Sequence, residues 1–190
     1  GGRCGLFRSD GDQGGGSMEG LTVFTEMLAA EVLKTTPTKN KAALREAKRG
    51  ILDYLASAFA GREDAGVLKL LHAIEAEGGH PVAALIGQNK RANRRQAALV
   101  NGFMGHALDY DDVHSDVRGH PSSVILPALF ALAAGREISG KQFLDAYIIG
   151  VEVMARLGQA FGTISYLQGW HNTSLLGGVS ATFAGARLLG

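Results

Sequence analysis

Residues 139–157 read SGKQFLDAYIIGVEVMARL. Ser139 followed by Gln142 is a capping-box pattern, with serine at the N-cap and glutamine at N3. Phe143, Tyr147, Val151, Met154 and Leu157 then recur at helical spacing. Glu152 and Arg156 add an i,i+4 pair on the same segment. The stretch is therefore a helix with a defined start and a buried face. Gly150 in its middle permits a close neighbour.

The same signature extends in both directions. Asn93 is an N-cap for a helix through Ala97, Val100, Phe103, Met104 and Ala107. Another helix starts near Ser122 and ends around Gly135, with Pro127 tolerable only near its first turn. Leu44, Ala47, Ile51, Leu55 and Phe59 mark one face of a helix that Gly61 ends as a C-cap residue. Leu68, Leu71 and Ile74 predict a helix closed by Gly78 and Gly79, and Leu21, Phe24, Leu28 and Val32 predict the first. Residues 81–87 read as a short extended piece. The last helix runs from about Thr173 to Leu189 and contains Gly177, Gly178 and Gly185. Interior glycine costs up to ~1 kcal/mol relative to alanine, so a helix must pack very closely there, or the end frays. The fold class is all-α, with no internal repeat.

Composition narrows the function. The chain has 190 residues, 46% hydrophobic and 19% charged, enough for one core. A net charge of +1 gives no case for nucleic acid. The longest apolar run, Val124 to Ala134, is shorter than the ~20 residues of a membrane span. Cys4 is the only cysteine, which excludes a disulfide framework and a cysteine zinc cage. Residues 1–17 are Gly-rich, lack the apolar core of a signal peptide and are expected to be a disordered leader or tag, with Met18 the natural start and 18–190 the helical domain. A cytoplasmic location fits best. The chain stops at Gly190 on an apolar helical pattern, so truncation is expected.

Chemistry concentrates in NGFMGHALDYDDVHSDVRGHPSS, residues 101–123, which holds His106, Asp109, Asp111, Asp112, His114, Asp116, Arg118 and His120. A second imidazole, His171, lies in the later loop. Both loops precede helix N-termini, at Ser122 and Thr173, where free N–H groups and the helix dipole favour an anion. Three readings stay open. One is a general acid–base site, because histidine titrates near neutrality and an aspartate can orient it. A second is a divalent metal site built from His114 and His120 with Asp109 or Asp112, which would suit a metal-dependent hydrolase. In the third, the aspartates cap helices and make turns and the histidines are solvated, as in a helical interaction fragment. His106 reads as a supporting or buried structural residue, His72 as a boundary residue and His80 as part of a turn.

NGFMGHALDYDDVH, GHPSSVILPALFALA, ISGKQFLDAYIIGVEV and GWHNTSLLGGVSATFAGARLLG, in that order, resemble the MmgE/PrpD family. The resemblance covers about residues 21–190. It implies an all-α domain, followed in full-length members by a smaller α/β domain, in a homodimer that needs no metal or organic cofactor. It implies a lyase acting on small polycarboxylates, of the 2-methylcitrate dehydratase kind, in propionate metabolism. Matched by motif, Asp109, His120 and His171 fall on the family's catalytic residues. Asp112, His114, Arg118, Ser122 and Thr173 are carried as substrate contacts. Val113 stands where decarboxylase-type members have threonine, the loop from Asp112 to His120 differs in length from some members, and lysines of the family's later sequence lie beyond Gly190.

Overall fold

The computed structural model describes residues 18–190, with side chains described from residue 25 onward. The leader, Cys4, and the side chains of Leu21 and Phe24 lie outside the described residues. Helix α1 spans Met18–Lys34. After a 3₁₀ turn at Pro37–Lys39 come α2 (Lys41–Gly61), α3 (Ala65–Glu77), strands β1 (Ala83–Ala84) and β2 (Arg91–Ala92), α4 (Arg94–His106), α5 (Ser122–Ala133), α6 (Gly140–Phe161), α7 (Ile164–Leu167) and α8 (Asn172–Leu189). The described residues divide into two units, one ending at Lys34 and the other spanning Thr35–Gly190. The all-α expectation holds. The strands make only a short antiparallel ladder, Ala83 opposite Ala92 and Ala84 opposite Arg91; β1 falls inside the segment 81–87 that reads as extended, and β2 lies beyond it.

The helix starts follow the local chemistry. Ser139 with Gln142, and Asn93 with Gln96, both form complete capping boxes. In the second unit α6 is the central element, packed most extensively on α8, and α4 lies against α5 and α2. Ile148 and Met154 of α6 share one buried core with Ile125, Leu126 and Leu129 of α5. The glycines of α8 do admit close packing. A Cβ at Gly177 would lie 2.7 Å from Val124 Cγ1, and one at Gly185 would lie 2.8 Å from Leu132 Cδ1. Gly150 of α6 faces Ala184 Cβ at 2.9 Å from the same kind of position. Gly178 faces open space and shares none of this.

Three sequence expectations need correction. The buried face of α2 is Ala47, Tyr54, Ser57, Ala58 and Gly61, and Phe59 is exposed, with Arg62 stacked over its ring. Cation–π stacking satisfies that ring at the surface. Gly61 is not a left-handed cap: it stays within α2, and a Cβ there would collide with the Met104 carbonyl oxygen of α4. Pro127 lies inside α5 rather than near its first turn. The bond it forfeits, to the Ser123 carbonyl, is outweighed by burial of the helix around it.

Candidate active site

The site grows from the C-terminal end of α4 and the N-terminal end of α5. Helix α4 delivers His106 as its last residue. The Asp109 N–H then donates to the His106 carbonyl at 3.1 Å, and Asp109 takes a left-handed φ of 55°. Aspartate is among the residues that tolerate this region. The loop closes on itself through His114 N–H to Gly119 O at 3.1 Å and Arg118 N–H to His114 O at 2.7 Å, with Arg118 at φ 53°.

His120 is held from both sides of its backbone. Its N–H donates to Thr173 Oγ1 at 3.1 Å, and its carbonyl accepts from Ser123 Oγ at 3.1 Å. Gly119 makes the first bond attainable, because a Cβ there would lie 2.6 Å from Thr173 Oγ1. Buried Asn172 ties the two loops together. Its Nδ2 donates to Val117 O at 2.8 Å, and its Oδ1 accepts from Ser165 Oγ at 2.7 Å. The start of α8 is thus fastened to the loop that carries His120.

Four side chains converge there. His106 Nδ1 lies 2.9 Å from Asp111 Oδ1, His120 Nδ1 lies 3.4 Å from the same oxygen, and His120 Nε2 lies 3.5 Å from Asp109 Oδ1. The two imidazole centroids are 4.5 Å apart, tilted by 55°. The Asp111 side chain is wholly enclosed, His120 is 15% exposed and Asp109 is 78% exposed. Burial, and after it the charge of Asp111, push the Tyr54 hydroxyl far above the ordinary phenol range. Tyr54 stays a neutral donor to the Asn101 carbonyl at 3.0 Å.

One donor atom from each of His106, Asp109, Asp111 and His120 lies within 4.8 Å of the others, a spacing that fits a shared cation. The metal reading from sequence paired His114 and His120 with Asp109 or Asp112; in the structure His120 and Asp109 are in the cluster, and His106 and Asp111 stand where His114 and Asp112 were expected.

Asp109 and His120 are brought together as the sequence suggested. His171 is exposed at the N-cap of α8, and its ring is outside the four-residue cluster. Its helix nevertheless meets that cluster through Thr173. Asp112 and Ser122 are engaged with each other. Asp112 Oδ1 accepts from Ser122 N at 3.1 Å, and Oδ2 accepts from Ser122 Oγ at 2.7 Å. Ser122 Oγ also lies 2.5 Å from Tyr147 Oη, and Ser122 is fully buried. Burial raises the Asp112 carboxyl above its usual value, with the Ser122 bonds opposing. His114 Nδ1 accepts from the Asp116 N–H at 3.3 Å, within its own loop. Arg118 is exposed, and Thr173 is buried with its hydroxyl on His120. Sequence reasoning passed over Asp111 and gave His106 only a supporting or structural part.

Comparison with known proteins follows the same lines. The MmgE/PrpD N-terminal domain matches residues 26–190. The cis-aconitate decarboxylase-like protein oryM of Aspergillus oryzae is 34% identical over 155 residues, covering 77% of this chain and 32% of that protein. Cis-aconitate decarboxylase of Aspergillus terreus is 31% identical over 153 residues, covering 77% and 31%. The mouse cis-aconitate decarboxylase is 29% identical over 153 residues, with the same coverage of 77% and 31%. The chain spans about a third of the length of these relatives.

Proposed function

Because this chain belongs to the MmgE/PrpD family, we propose that it is the helical part of a lyase that moves a proton at a carbon beside a carboxylate of a small polycarboxylate. The observation that carries this reading is His120, fixed at both ends of its peptide and flanked by Asp109 and Asp111. An imidazole in contact with carboxylates can serve as a general acid or base. In dehydration, His120 takes the α-proton, the C–H pair forms the double bond, and a protonated group such as His171 gives its proton to the departing hydroxyl, which leaves as water. In decarboxylation, His120 starts as the imidazolium: the C–C bond breaks, carbon dioxide leaves, and the electron pair left behind takes the proton from His120, which becomes neutral. In both, Asp109 stabilises the imidazolium form of His120. His171 and the first turn of α8 hold a substrate carboxylate, and Arg118 and His114 line the approach.

The names of the relatives favour cis-aconitate as the first substrate to test. The hydro-lyase reading, with 2-methylcitrate, is favoured by Val113, which is 72% exposed and offers no hydroxyl. The same reading includes a homodimer and chemistry without a metal or organic cofactor. The test is turnover of both substrates by the wild-type protein, H120A and H171A, with carbon dioxide release and double-bond formation read separately. Each variant is expected to lose at least ~100-fold in rate. Near-normal turnover in both refutes the assignment.

A further inference from the structure

One enclosed ionisable group at the site has no part in the steps above. The Asp111 side chain has no solvent exposure, and its ion-pair partners are the imidazoles of His106 and His120. Burying a carboxylate is costly unless it is paired and hydrogen-bonded. Two enclosed side-chain atoms here lack a hydrogen-bond partner: Asp111 Oδ2 and His120 Nδ1. They belong to neighbours whose closest approach is 3.4 Å. A small rotation of the ring or the carboxylate would bring His120 Nδ1 into hydrogen-bond range of the Asp111 carboxylate. Catalytic hydrogen bonds are often long in an unliganded site and shorten when substrate closes it.

We infer that Asp111 is a positioning residue for His120. Its carboxylate accepts the His120 Nδ1–H and fixes the neutral ring as that tautomer, which leaves the Nε2 lone pair to receive the substrate proton. His106 steadies the carboxylate from the other side, its Nδ1–H donating to Oδ1 at 2.9 Å. Asp109 competes for the ring at Nε2, but it is 78% exposed and hydrated. A hydrogen bond in the enclosed, low-dielectric position is the stronger of the two. The inference rests on the reading of His120 as the proton-transfer group.

The test reads the His120 tautomer directly, from the ¹⁵N shifts of its ring nitrogens in this chain. Wild type, D109N and H106Q are expected to keep the Nδ1–H form. D111N is expected to move the ring toward Nε2–H, because the new amide offers an N–H to Nδ1. The substitution is nearly isosteric and removes a buried charge. Should D111N not fold, D111S is read in the same way, since serine is too short to reach the ring. A tautomer unchanged in the folded variant overturns the inference. In turnover, D111N is expected to lower kcat by on the order of 10²–10⁴, the scale seen when an orienting aspartate is neutralised in serine proteases, with little change in KM. If H120A turns over normally, the base assignment itself fails. If H120A is inactive while D111N keeps both tautomer and kcat, only the positioning role fails.

Discussion

Replacing Thr173 by valine removes one hydroxyl and keeps the branched shape. That hydroxyl accepts the His120 N–H at 3.1 Å, and Thr173 is only 7% exposed. Water cannot easily replace it, so the amide is left buried and unpaired, at a cost of ~1–3 kcal/mol. The added methyl also faces Gly119, whose absent Cβ would sit 2.6 Å from Thr173 Oγ1. For a chain of this size the loss corresponds to a fall of roughly 2–10 °C in Tm. T173S is the control: it keeps the acceptor and loses one methyl, worth about 0.8 kcal/mol or less. Urea midpoints followed by circular dichroism give the order wild type, T173S, T173V. Hydrogen exchange gives a second readout, because the His120 amide should lose protection in T173V and keep it in T173S. A valine variant as stable as the serine one, with the His120 amide still protected, would refute the claim that this bond holds the histidine.

Four further outcomes follow from the same geometry. G178A should stabilise α8 by up to ~1 kcal/mol, since alanine is the better helix former and the position faces open space. G177A should cost ~1–3 kcal/mol against Val124, and equal midpoints for the pair would contradict the packing of α8 on α5. Burial raises the Asp112 carboxyl above its ordinary 3.8, so the folded state holds that proton more tightly than the unfolded chain. Stability from this group is therefore present below pH 3.8 and is lost as pH rises through the folded value. Wild type should lose stability relative to D112N across that window, and parallel urea midpoints at pH 3.5 and pH 7 would count against it. Exhaustive chelation should leave turnover unchanged; loss that returns with zinc or manganese would move the His/Asp cluster to metal-dependent chemistry.

The helices were legible because their signals are local. The N-cap read at Asn93 and the capping box read at Ser139 depend on a few neighbouring residues each, and both formed. The errors came where distant packing decides. Phe59 reads as core by spacing, yet the neighbours of α2 select Tyr54 and Ala58 instead. Gly61 reads as a cap by its place at a helix end, yet α4 passes so close that no side chain fits. The site was legible as a region and as the pair Asp109 and His120. Its inner order was not. Four aspartates in one loop look alike in sequence, and only the fold encloses Asp111 while leaving Asp109 in solvent.

The two helix N-termini show how a correct force can be assigned the wrong ligand. Free N–H groups at the start of α5 do attract a carboxylate, but the chain supplies its own. Asp112 accepts from Ser122 N, and Ser122 Oγ completes the arrangement inside the protein. A substrate anion at α5 would have to displace a half-buried carboxylate that already accepts two hydrogen bonds. Helix α8 differs. His171 at its N-cap makes no side-chain capping bond, and among the described residues no side chain accepts from the N–H groups of Asn172, Thr173 or Ser174. The cation-favouring and anion-favouring parts of the proposed chemistry therefore separate by element. The α4–α5 loop concentrates carboxylates around His120, and the start of α8, fastened to that loop through Thr173, has no side-chain acceptor on its first N–H groups among the described residues. A substrate bearing several carboxylates would place one of them on α8 and its acidic carbon at His120.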